Sequence, residues 1–260
     1  MKRIIIILSA IVLLAACQKE NRIQEPALST VTYSVAAPVE FETKATGDAS
    51  RINVLWYGVY HKKENGEFKY MSDMSAFVDV TDPSSIQVPI TLINNQVYRL
   101  VFVAQHKSDG KYVYNIGEDG VMTLNPDAEV TDGEQLDAFV YWEETVVITQ
   151  GYNKEIKLSR PLAQINVGTT AQTSPASVDI KVKGVAASYD IFSGAYSQDV
   201  TDMELKNLAC SGSQLAVFYV IPPVDGKVDL EIAMDQGAEP ISVAGLDVAP
   251  NFKTNLIGNI

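Results

Sequence analysis

The chain has 260 residues, 47% hydrophobic and 20% charged, enough to bury a sizeable core in one large or two smaller domains and too apolar for a disordered chain. Twenty Lys and Arg against 32 Asp and Glu give a formal charge of -12, and no basic stripe gathers the few cations, which argues against nucleic acid as a partner. His61, His106, Cys17 and Cys210 stand too far apart for zinc-ligand spacing, so neither a structural metal nor a disulfide is expected.

The chain opens with Lys2 and Arg3, and residues 4–16 are then apolar except for Ser9. Thirteen such positions suit a secretory signal and fall short of the roughly 20 needed to span a bilayer. Leu14-Ala15-Ala16-Cys17 resembles the bacterial lipobox, which makes Cys17 the expected lipid attachment site and residues 1–16 a cleaved signal peptide. Cleavage leaves 244 residues with 18 cations against 32 anions, a charge of -14. Acyl chains would anchor the chain to a membrane without spanning it. Gln18-Lys19-Glu20 resembles the short charged tags that carry Bacteroidetes lipoproteins to the cell surface, and a solvated tether over residues 17–29 accounts for the same residues.

From residue 30 onward the pattern is all-β. Residues 31–42 read as a first strand, and residues 54–60, 97–104, 146–149 and 215–221 as buried strands rich in β-branched and aromatic side chains. Residues 177–183 and 228–232 alternate apolar with charged positions, the mark of a strand with one wet face. Asn65-Gly66 and Asp109-Gly110 suit type I′ hairpins, and Asp225-Gly226 is a third turn. Short helical turns are allowed only near residues 132–138 or 203–208. The spacing predicts two β-sandwiches with Greek-key connections, residues 30–159 and 160–260, each with its own core, divided at Arg160-Pro161.

Enzyme signatures are lacking: no Gly-x-Ser-x-Gly, phosphate-cradling loop or His-Glu-x-x-His occurs, and no catalytic residue is assigned. His61 and His106, each beside Lys, read as solvated turn residues. Asn125, Asp127, Glu129, Asp132, Glu134 and Asp137 miss the EF-hand pattern at Val130, where Gly is needed, and read as a solvated loop. Trp56, Tyr57, Tyr60, Phe139, Tyr141 and Trp142 suit a sandwich core, with Trp142, followed by Glu143 and Glu144, the one candidate for stacking on a glycan.

Arg160-Pro161-Leu162-Ala163-Gln164-Ile165-Asn166-Val167 and Asn251-Phe252-Lys253-Thr254-Asn255-Leu256-Ile257-Gly258-Asn259 resemble two signatures of the Bacteroidetes fimbrillin family, the type V pilins and their relatives. The resemblance runs on through the lipobox, the first strand and the connector Lys44-Ala45-Thr46-Gly47-Asp48. It implies two transthyretin-like sandwiches, an outer-membrane lipoprotein displayed at the cell surface, and assembly with other fimbrial subunits by β-strand exchange. In the family an Arg- or Lys-specific protease removes the first strand. Here that site matches Lys44, with Arg51 as the neighbouring alternative, although well-known members carry Arg there. Val31, Tyr33, Val35, Val39 and Phe41 would then fill the pockets of the exchanged strand. The chain ends at Ile260 without the further donor strand of many stalk members, which fits a tip, cap or non-polymerising subunit. No cofactor is expected, and nothing in the sequence identifies a receptor. A competing reading, with the same anchor and sandwiches, is a surface glycan- or haem-binding lipoprotein that works in nutrient uptake.

Overall fold

A computed structural model describes residues 26–38, 49–145, 148–172, 174–234 and 239–259. Strands dominate, and the helical content of these residues is one 3-10 turn, Gly133–Leu136. That turn falls within one of the two allowed segments. The other, residues 203–208, is strand, because Met203, Leu205 and Leu208 reach the core from an extended chain.

In the first half the strands are β1 (Leu28–Ala36), β2 (Val54–Lys62), β3 (Phe68–Tyr70), β4 (Ala76–Asp79), β5 (Ile86–Ile93), β6 (Tyr98–Gln105), β7 (Lys107–Ser108), β8 (Lys111–Tyr112), β9 (Tyr114–Ile116), β10 (Val121–Leu124), β11 (Phe139–Thr145) and β12 (Asn153–Lys157). The second half has β13 (Ala163–Thr169), β14 (Ser177–Ala186), β15 (Tyr189–Asp190), β16 (Ala195–Tyr196), β17 (Val200–Ala209), β18 (Gln214–Val220), β19 (Lys227–Ala233), β20 (Ile241–Asp247) and β21 (Lys253–Gly258).

The two halves repeat one pairing scheme. In the first, β1 lies between β5, antiparallel, and β12, parallel, facing a sheet of order β11-β6-β2 with β3 and β4 both paired to β2. In the second, β13 lies between antiparallel β18 and parallel β21, facing a sheet of order β20-β19-β14-β17. Seven strands of each half therefore correspond one to one: β1, β2, β4, β5, β6, β11 and β12 with β13, β14, β17, β18, β19, β20 and β21.

Burial follows from this arrangement. On β2 and β6, Leu55, Val59, Leu100, Phe102 and Ala104 point toward β1 and β5 and form one core with Val31, Tyr33, Val35, Val88, Ile90 and Leu92. Trp56, Tyr60, Val101 and Val103 point the other way and join a second core with Leu162, Ile165, Ile180, Val182, Phe218 and Leu230. From Leu100 to Ala104 strand β6 is thus buried on both faces, which explains the unbroken apolar run there. The second core is not confined to residues 160–260 as the sequence suggested. It crosses the junction because the outer face of the first-half sheet is covered rather than wet.

Part of that cover is a ladder shared by the halves, of order β16-β15-β10-β9, in which Met122 pairs with Tyr189. Gly120, at the β9–β10 turn with φ +82°, leaves room for Phe192, whose ring atoms would come within 2.3 Å of an added Cβ. Phe192 in turn packs edge-on against Tyr60 and Trp142.

Turn chemistry departs from expectation in one place. Asp109 and Gly110 both have positive φ, as a type I′ turn requires, and close the small β7–β8 hairpin. At the other site Gly66 has φ +87° while Asn65 does not, and Gly66 N–H donates to Lys63 O. The loop is one residue longer than a two-residue hairpin, so only its last position needs the left-handed region. Of the expected strand at 146–149, residues 146 and 147 lie outside the described residues, and Ile148 is buried beyond the end of β11.

Candidate functional site

Strand β1 carries the candidate site. Val31, Tyr33 and Val35 recur at period 2 and are all fully buried, while Thr30, Thr32 and Ser34 alternate on the outer face. Eight residue pairs tie β1 to β5 and five tie it to β12. Further backbone bonds clamp both ends, with Ala37 N–H donating to Pro83 O and Asn94 N–H to Ala27 O. Pro89 sits on β5, an edge strand, where a missing N–H is tolerated. The chain before β12 presses closely on β1, since a Cβ on Gly151 would stand 2.5 Å from Thr30 O.

A polar network crosses the sandwich at this strand. Tyr33 Oη donates to Glu143 Oε1 at 2.6 Å, reaching from β1 to the facing strand β11. Tyr141 Oη donates to Glu143 Oε2 at 3.1 Å, and Lys154 on β12 pairs with the same oxygen. Tyr152 Oη lies 3.4 Å from Tyr33 Oη. Burial, and then the hydrogen bond to Glu143, push the Tyr33 phenol far above its ordinary value. For Lys154 partial burial pulls the ammonium down, but the bond to Glu143 and its charge outweigh this and the net shift is upward.

Lys154 and Tyr152 were not singled out in the sequence, Tyr141 was read only as sandwich core, and Glu143 only as a neighbour of Trp142. One signal was present: alternation along β11 puts Glu143 on the inner face with Phe139 and Tyr141, an acidic residue at a core position. Trp142 therefore points away from Glu143. Its neighbours are the Arg99 guanidinium, 5.2 Å from the ring, and the edge of Phe192. Trp142 is half-exposed, whereas Trp56, Tyr60 and Phe139 are core.

The two expected cleavage residues differ in standing. Lys44 lies outside the described residues, as do Cys17, Val39 and Phe41. Arg51 stands two residues after Ala49, which is buried with φ +55°, and precedes Ile52, also buried, whose N–H donates to Ala49 O. Its side chain pairs with Asp132 at 2.5 Å and its carbonyl accepts from His106 Nδ1. The other His106 nitrogen meets Gln135 Nε2, so a bond from His106 to haem iron would displace one of these contacts. His61 sits on β2 against Gln96 and Tyr98. Both histidines are half-buried and partnered, not solvated, because each abuts a glutamine side chain. In the acidic loop Asn125 and Asp132 accept from backbone N–H groups, and Asp132 with Gln135 forms a capping box on the 3-10 turn.

The junction is held by an enclosed ion pair. Arg160 Nε and Nη2 donate to the two oxygens of Asp137 at 2.7 and 2.8 Å, with Phe139 and Tyr219 rings 4.5 and 5.3 Å from the guanidinium. Burial disfavours the Arg160 charge, but the Asp137 bonds and charge more than compensate and raise its pKa. Arg160 Nη1 also reaches Asn251 Oδ1, and Asn251 N–H donates to Leu162 O. These residues belong to the two segments that carry the fimbrillin resemblance.

A family model described as a family of unknown function (DUF6562) matches residues 24–244. The chain belongs to this family. A prokaryotic membrane lipoprotein lipid attachment site matches residues 1–18, which marks a membrane-anchored lipoprotein. Solved structures with a similar fold include the fimbrial anchor protein Mfa2 of Porphyromonas gingivalis, 14% identical with TM-score 0.52 over 84% of this chain and 82% of that one. A candidate adhesin from Bacteroides ovatus is 10% identical with TM-score 0.53, covering 88% and 87%. A candidate polysaccharide-binding protein from Bacteroides thetaiotaomicron is 10% identical with TM-score 0.56, covering 88% and 90%. A search of curated proteins finds no match.

Proposed function

We propose that this member of the family is a fimbrillin-like subunit, lipidated at Cys17 and tethered to the outer membrane at the cell surface through the segment that precedes β1, which takes up residues 28 and 29 of the expected tether, and that it joins a fimbria by exchanging β1 and serves there as a tip or accessory adhesin. In this reading residues 30–159 and 160–260 are two transthyretin-like Greek-key sandwiches, for which the repeated seven-strand pairing is the support. The observation that carries the exchange mechanism is the position of β1: it is central in its sheet, so its departure would open a groove with unpaired backbone groups on both β5 and β12. If each large side chain of β1 re-exposes roughly 100 Å2 of apolar surface, it holds the seated strand by about 2.5 kcal/mol.

Cleavage at Lys44 is favoured over Arg51, because a protease needs an extended backbone and the Arg51 peptide is held between two buried residues. Fold relatives that include a fimbrial anchor protein and a candidate adhesin support a surface assembly role and a non-enzymatic one. Two measurements test the proposal. Native trypsin treatment should release the first strand by a cut at Lys44, after which a β1 peptide should rebind. Global unfolding on cleavage, with no rescue by peptide, would defeat strand exchange. Separately, Cys17→Ser should abolish incorporation of labelled palmitate, and continued labelling would remove Cys17 as the lipid site.

A further inference from the structure

We infer that Glu143 selects the strand that occupies the β1 position, admitting an extended segment with a hydrogen-bond donor such as Tyr at the Tyr33 register, flanked two residues away on each side by β-branched apolar side chains. The inference rests on the strand-exchange reading and adds to it the chemistry of the incoming partner.

The argument starts from the place of Glu143. Its side chain is only 12% exposed and stands on the inner face of β11, where its strand neighbours Phe139 and Tyr141 face the core. Oε2 has two donors that stay with the acceptor chain, Tyr141 and Lys154. Oε1 has Tyr33. When β1 leaves, Tyr141 and Lys154 remain and Oε1 loses this donor. Water can serve that oxygen in an open groove, but an arriving apolar strand expels the water. A segment with Phe at this register would therefore bury a carboxylate oxygen against a ring, whereas Tyr restores a charge-assisted bond.

Register follows from the ladder. The occupant must run parallel to β12 and antiparallel to β5, as β1 does, with its donor side chain opposite Val88 and Lys154. One residue of slip would turn the donor outward and the polar face inward, so Glu143 also fixes alignment. Val31 and Val35 define the neighbouring apolar pockets.

The test uses the full chain, cleaved natively and still holding its own β1 fragment. A labelled peptide copying residues 27–37 and a second copy with Tyr33→Phe are exchanged against that fragment, and binding is read by fluorescence anisotropy. The Tyr peptide should bind about ten- to a hundredfold more tightly than the Phe peptide. In a Glu143→Leu chain that preference should vanish, and a Glu143→Gln chain, which keeps an acceptor, supplies an intermediate value if the Leu variant does not fold. Equal binding of both peptides to the wild-type chain would overturn the selection rule while leaving strand exchange standing. A preference unchanged in both Glu143 variants would show that another group makes the choice. Failure of both peptides to enter would overturn the strand-exchange reading and this inference with it.

Discussion

The two halves of the molecule share seven strands in the same order, yet their equivalent central strands are held in different ways. Strand β1 enters from the N-terminal segment and is followed by residues 37–53 before β2, so one cut in that connection severs it from the rest of the fold. Its counterpart β13 is continuous with β12 through residues 158–162, and Arg160 fastens that link to Asp137 and Asn251. The same topology thus supplies one central strand that a single cut frees, as the proposed exchange requires, and one that stays joined to its neighbour. Covalent continuity and a buried ion pair make the difference, since both strands are central in their sheets.

Breaking the junction should have the largest effect. Replacing Arg160 or Asp137 by Leu strands the partner charge among Phe139 and Tyr219, at a cost of about 3–5 kcal/mol. Replacing both with Leu should cost less than either alone, and urea midpoints of the three variants would show it. If the ion pair couples the halves, the single variants should also separate one unfolding transition into two.

Phenol deletions compare the halves directly. Tyr33→Phe removes a bond to a charged acceptor and should cost about 1.5–3 kcal/mol, whereas Tyr196→Phe removes only a neutral bond to Pro161 O and should cost about 0.5–1.5 kcal/mol. Hydrogen exchange would localise the first loss to β1, β5 and β12. Alkaline pH should act on both halves. Tyr33, Tyr60, Tyr114 and Tyr196 are all raised by burial first, so the folded state keeps protons that the unfolded chain releases. Their stabilisation is fully present below about pH 10 and declines as pH rises beyond it, with Lys154 acting in the same direction. Urea midpoints measured across that range should fall, and Tyr33→Phe should flatten the fall. The smallest effect belongs to Arg51→Ala: its pair with Asp132 is 49% and 33% exposed, so stability should change by less than about 1 kcal/mol.

Much of this architecture was legible in the chain. Alternation in β14 and β19, the largely apolar runs of β2, β6 and β18, and the period-2 set Val31, Tyr33, Val35 all survive as strands and core faces. Tyr33 was legible as a pocket residue but not as a hydrogen-bond donor. Its acceptor lies 110 positions away on β11, and the separation is set by how two sheets stack. Trp142 was singled out for the acidic residues that follow it, yet a strand sends Glu143 to the opposite face and keeps only Glu144 on the Trp142 side, where both meet Arg99.

The sequence by itself determined the lipidation segment, the all-β class and which side of most strands is apolar, because these depend on local composition and a two-residue period. Tertiary structure alone decided that β1 is central rather than at an edge, that Glu143 gathers donors from three strands, and that one core runs across the junction at Arg160. The reason is that side-chain periodicity specifies a face but not what covers it. Partners across a sandwich are chosen by sheet order and packing, which no local pattern encodes.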